Sequence, residues 1–190
     1  MTRPPRLLPL NDAEMSPEAH ELTNGYRVGD QLYNVFRIAV RHLRLFKSYK
    51  SFGLFTQVRS SLEPRHRELA ILRIAYLNRS DYEWGHHARI AMECGFAAHE
   101  VERVKAGADA PGWQNFDRVI LRAVDQLKVD ADLDDEIYAA LSAVLTEIQL
   151  TDLIYTVGNY AMVSMALKVF GVPLEEGVHG IDAPVRALGS

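Results

Sequence analysis

A chain of 190 residues, 48% of them hydrophobic, is long enough to bury one sizeable core and leaves little room for a second. Its 21 basic and 25 acidic residues give a formal net charge of -4 and are interspersed, so it has no basic stripe to hold a phosphate backbone, and nucleic acid is not an expected partner. The single cysteine, Cys94, excludes an intramolecular disulfide and suits a reducing compartment; with prolines in Met1 to Leu10 and no apolar run read as membrane-spanning, the expected location is cytoplasmic, away from membranes.

Residues 1–30 mix Pro, Asn, Asp and Gly with few periodic apolar positions and read as an N-terminal arm. From Gln31 a helical period takes over through Leu32, Val35, Phe36, Ala39, Val40 and Leu43. It continues through Phe46, Tyr49, Phe52 and Phe55 to about Val58, with Gly53 as a point of breakage. The basic residues of Arg37 to Lys50 alternate with apolar ones at helical spacing, which describes a solvated helix face. Pro64 suits the first turn of a helix running through Leu69, Ile71, Leu72, Ile74 and Tyr76, buried over much of its circumference.

Asn78 to Asp81 form a polar turn, and a second helix from Asp81 to Cys94 stops at Gly95, which makes a helical hairpin. Helical patterns return over Ala98 to Ala106 and Trp113 to Val129, then from a cap at Asp132 or Asp134 to about Val144. Thr146 and Gln149 have capping-box spacing and open a long helix that ends at Gly171, followed by Pro173. No alternation is long enough for a strand, so the fold is predicted to be all-α with the hairpin at its centre. The helical domain is expected over 31–175, with 176–190 as a C-terminal tail.

Polar residues gather in the hairpin. Glu68 lies near the start of its first helix, and Glu83 and His87, four apart, share a face of the second. A carboxylate beside an imidazole can fix its tautomer and favour its protonated form, which is the basis of an acid and base pair. A structural account competes at each position. Ser80 and Glu83 have the spacing of a capping box, His87 fits a satisfied core histidine, and Glu68 fits a first-turn acid favoured by the helix dipole. Two Glu-x-x-His strings, Glu63 with His66 and Glu83 with His86, lack the further inward-facing glutamates of a carboxylate-bridged metal site, so no metal or other cofactor is expected. Cys94 fits a small buried apolar residue better than a nucleophile.

The runs Leu62-Glu63-Pro64-Arg65-His66-Arg67-Glu68-Leu69-Ala70 and Tyr82-Glu83-Trp84-Gly85-His86-His87-Ala88-Arg89-Ile90-Ala91, followed by Cys94-Gly95-Phe96, resemble the carboxymuconolactone decarboxylase-like family of the alkylhydroperoxidase D superfamily. The resemblance covers about Gln31 to Glu175 and implies that superfamily's helical bundle. In its peroxidase branch a Cys-x-x-Cys-x-x-x-His string works with an upstream glutamate. Laid on this chain, the glutamate is Glu68, the cysteine positions hold Ser80 and Glu83, and the histidine is His87. Serine forms neither sulfenic acid nor disulfide, so disulfide-forming peroxide reduction is excluded.

The decarboxylase branch also lacks the cysteine pair. It implies an enzyme: a cofactor-independent lyase or isomerase acting on a small carbonyl- or lactone-bearing compound, with His87 moving a proton, Glu83 orienting it and Glu68 assisting. Ser80, Tyr82, Trp84 and His86 are candidate pocket residues. The resemblance further implies a homo-oligomer, trimer or hexamer. The alternatives are a non-catalytic oligomeric scaffold or ligand-binding protein, and antioxidant chemistry through Cys94 with an external thiol.

Overall fold

The computed structural model describes residues 4–186; the first three residues of the expected arm and the last four of the expected tail lie outside the described residues. The architecture is all-α. The helices are α1 (Pro17–Thr23), α2 (Asn34–Ala39), α3 (Leu43–Leu54), α4 (Pro64–Leu77), α5 (Asp81–Glu93), α6 (Ala98–Val104), α7 (Asn115–Val129), α8 (Asp135–Ser142) and α9 (Glu147–Phe170). A two-stranded antiparallel ribbon, β1 (Arg27–Val28) with β2 (Gln31–Leu32), is the only sheet among the described residues.

The core is organised around α4. Every residue from Arg67 to Ala75 is buried, because α5, α7 and α9 cover it on different sides. Side-chain pairs give the directions of these neighbours. Arg65 meets Asp117 and Arg73 meets Asp125, so α7 runs alongside α4 in the same sense; Asp152 sits at the start of α4 and Lys168 at its end, so α9 does too. Helix α5 runs the other way, closing the hairpin. Asp152 receives Ser61 N at 2.6 Å and Ser61 Oγ at 2.7 Å, which fixes the entry into α4 where Glu63 supplies no side-chain cap.

Several boundaries differ from the sequence expectation. Ser16 Oγ accepts from Ala19 N and caps α1, with Pro17 in its first turn, a start signal inside a segment whose composition reads as irregular. The single helix expected from Gln31 is divided: β2 takes Gln31 and Leu32, and His42, at φ -122 and ψ 77, leaves helical geometry and caps α3 with its ring nitrogen. Gly53 does not break α3; the helix passes through it into a π-helical turn at Phe55–Arg59, where Thr56 Oγ1 donates to the carbonyls of Phe52 and Gly53. Asp134 is the cap of α8, and the Thr146–Gln149 box forms.

Helix α9 is 24 residues long and, by length and composition alone, apolar enough to cross a membrane, which corrects the expectation that no apolar run is of that length. It packs along α4, and 39% of its most apolar window is buried. After Gly171, left-handed at φ 65, residues 172–186 turn back across α5 and α6.

Candidate active site

Helix α4 carries Glu68 into the middle of the core with no solvent exposure. An ionised carboxylate there needs partners. Arg67 Nε donates to Oε1 at 3.2 Å, and His87 Nδ1 lies 2.7 Å from Oε2 across the hairpin. With Nδ1 engaged, Nε2 is the ring atom left to take or give a proton. The Tyr160 ring of α9 stands edge-on to His87, centroids 4.8 Å apart and planes at 88°. Burial pushes the Tyr160 phenol well up, and the charges of Glu68 and Glu83 add to that.

Glu83 lies one turn before His87 on α5, and its Oε2 accepts a hydrogen bond from Ser164 Oγ of α9. Burial pushes the Glu83 carboxyl up to about 7, against the opposing pull of Ser164, His87 and the neighbouring Ser80 hydroxyl. Its Oε1 and the Ser80 Oγ are both buried without a hydrogen-bond partner. The Ser80–Glu83 capping box that the spacing suggested is therefore not formed. Ser80 holds the N-cap position at φ -97 and ψ 89 with no side-chain bond, because Glu83 reaches across to α9 instead of back to its own helix start. Tyr49 of α3 adds a phenol on the same side. Its hydroxyl donates to Asn159 Oδ1 at 2.9 Å, and burial pushes it up to about 12, with Glu83 contributing.

Other expected pocket residues are engaged elsewhere. Tyr82 Oη donates to Glu175 Oε1 at 2.6 Å, and His86 Nε2 lies 2.6 Å from Glu175 Oε2. Glu175 also accepts from Asn34 N, so its carboxylate fastens the chain after α9 both to α5 and to the start of α2. Burial works to raise the Glu175 carboxyl, but the hydrogen bonds from His86, Tyr82 and Asn34 outweigh it and hold the group low. Trp84, 1% exposed, packs against Tyr76 with Lys105 over its ring, as a core residue does.

Among the described residues, no group of three or more His, Cys, Asp or Glu side chains is placed to hold a metal. Within one Glu-x-x-His string the two partners diverge, Glu83 to Ser164 and His86 to Glu175; in the other, His66 packs on Phe116. Cys94 is free, and burial together with the nearby Glu68 charge pushes its thiol up, away from the thiolate.

The sequence pattern assigned no site role to Tyr160, Ser164 or Tyr49. The signal for the first two is a line of polar residues, Asp152, Thr156, Asn159, Tyr160 and Ser164, on the buried side of an otherwise apolar helix.

The family model described as "Carboxymuconolactone decarboxylase family" matches residues 44–126, which include the whole hairpin. No curated protein matches the sequence. Among solved structures, an uncharacterized peroxidase-related protein from Silicibacter sp. TM1040 is 14% identical with a TM-score of 0.79, over 95% of this chain and 98% of that one. An uncharacterized peroxidase-related protein with an alkylhydroperoxidase AhpD core, from Ralstonia eutropha JMP134, is 13% identical with a TM-score of 0.77, over 90% and 93%. The debrominase Bmp8, solved as a Cys-to-Ala variant in complex with 2,3,4-tribromopyrrole, is 14% identical with a TM-score of 0.67, over 89% and 91%. At these identities the likeness is one of fold.

Proposed function

We propose that the chain is a member of the carboxymuconolactone decarboxylase and AhpD-like superfamily, whose family model matches residues 44–126, and that it is a cofactor-independent acid and base catalyst, a lyase or isomerase acting on a small carbonyl- or lactone-bearing compound. The observation that carries this reading is the buried Glu68–His87 pair at 2.7 Å with a second carboxyl, Glu83, raised to about 7 one turn away. A group that titrates near neutrality exchanges protons in both directions at little cost, as general acid and base catalysis requires. In this reading His87 moves the proton, Glu68 orients the ring, and Glu83 supplies or receives the proton at the second position. Thiol chemistry through Cys94 is less well supported, since its surroundings disfavour the thiolate.

The test is a panel of small lactones and 3-oxo acids incubated with the protein in D2O, followed by NMR for loss of CO2 or deuterium incorporation next to the carbonyl. Turnover by the parent protein that disappears in His87→Ala and Glu83→Gln is the expected result. Undiminished turnover in His87→Ala overturns it.

The second reading, a non-catalytic oligomeric scaffold, draws on the burial of every side chain in the centre, His87 included at 6% exposure. Failure of the whole panel would favour it. Both readings include a homo-oligomer. Helix α9 leaves Ile148, Tyr155, Met162 and Val169 about half to two-thirds exposed along one face, an apolar surface suited to a second copy of this chain. A monomeric mass by light scattering would remove that proposal.

A further inference from the structure

At the turn of the hairpin, Asn78 Nδ2 is buried and has no hydrogen-bond partner among the described residues. Such atoms are rare in folded proteins, and each calls for an explanation. At this end of the hairpin the surface opens into a depression of about 290 Å³. Asn78 and the buried Ser164 line it, Leu77 and Met165 supply apolar wall, and Arg79, Lys128 and Lys168 supply three cations. No carboxylate lines it.

Among the described residues none of the three cations has an ion-pair partner. Lys168 is held in place by donating to Asn78 O at 2.5 Å, which leaves further ammonium protons to offer. Arg79 is one of two non-glycine residues with positive φ among the described residues, at 53°, a conformation that glycine or asparagine adopts more easily. An arginine kept at such a turn position places a fork of donors at the rim at the expense of local backbone strain. In a chain of net charge -4, three cations with no ion-pair partner among the described residues line one depression together with an unsatisfied amide donor, a lining that suits an anion.

We propose that this depression binds the oxyanion group, carboxylate or phosphate, of a small molecule. The site goes beyond the acid and base reading and stands whether or not Glu83 is catalytic, although Ser164 borders both.

The experiment is a titration of the full chain with inorganic phosphate and, separately, with acetate, followed through the backbone amide signals of residues 78–80 at low ionic strength. Saturable shifts with at least one ion, weakened about tenfold or more in Arg79→Gly and Lys168→Gln, are expected. Because glycine relieves the positive φ, Arg79→Gly should melt no lower than the parent, so lost binding there cannot be a folding defect. Saturation by phosphate alone assigns a phosphate ester, and comparable saturation by acetate assigns a carboxylate. No saturable shift with either ion, or unchanged affinity in both variants, overturns the site. Glu83→Gln, which tests the acid and base reading, should bind the ion as the parent does; loss of turnover there with binding intact separates the two proposals.

Discussion

Glu68 Oε2 and His87 Nδ1, separated by 19 residues in the chain, meet at 2.7 Å between the two arms of the hairpin, and the glutamate has no access to solvent. The carboxylate's other oxygen is held by Arg67, so the three side chains form one buried charge network. Removing one partner strands the others. Glu68→Ala should cost about 3 kcal/mol or more in urea unfolding, because it leaves the buried Arg67 unpaired, whereas Glu68→Gln keeps shape and hydrogen-bonding capacity and should cost about half as much. Equal costs for the two variants would assign the whole penalty to the charge that both remove, and none to the shape and hydrogen bonds that glutamine keeps.

Glu83 gives the protein a specific dependence on pH. Its folded value of about 7 lies above the ordinary 4.5, so the native state holds the proton more tightly than the unfolded chain. Its contribution is fully present below about pH 4.5, is lost as pH rises toward 7, and above that the buried charge costs on the order of 3 kcal/mol. Glu83→Gln should therefore stabilise the protein at pH 8 and leave it nearly unchanged at pH 4. Melting curves at the two pH values check this, and an equal effect at both would be inconsistent with a titrating Glu83.

Much of this centre was legible in the sequence, for a physical reason. Glu68 and His87 lie on adjacent helices joined by a short turn, so helical periodicity and the hairpin constrain where they can meet. What the sequence concealed involves partners far along the chain. Ser80 and Glu83 have capping-box spacing, yet Ser164, 81 residues on, takes the carboxylate. Tyr82 and His86 read as pocket residues because nothing local reveals Glu175, 93 and 89 residues away. The divided helix at His42 was hidden because the apolar period continues across a backbone break that the residue's own ring caps.

Cys94 should be a slow thiol. With burial and the Glu68 charge both opposing its ionisation, reaction with a disulfide reagent at pH 7 should run slower than that of free cysteine and accelerate on unfolding. A fast native reaction would reopen thiol chemistry with an external partner.

Gly85 sits where the returning C-terminal segment crosses α5. A Cβ there would lie 2.5 Å from His179 O and 2.6 Å from Val178 Cγ1, and the carbonyl is backbone that must shift. Gly85→Ala should cost about 1 to 3 kcal/mol and expose residues after Gly171 to protease before the helices unfold. An unchanged digestion pattern would mean that the segment accommodates the methyl group.

The short turn at Asn78 to Ser80 also sets the phase of α5 against α4. Each residue of an α-helix advances about 100° around the axis, so one residue added to the turn would, with the helix held in place, seat His86 opposite Glu68 and Tyr82 in the position of Glu83. The side chains that now fasten Glu175 would face Glu68 and Ser164, and Glu83 and His87 would be turned into the buried places of Trp84 and Ala88. Turn length is thus a discrete selector of which of the two adjacent histidines meets Glu68, and a single insertion would change that partner without altering the sequence of either helix.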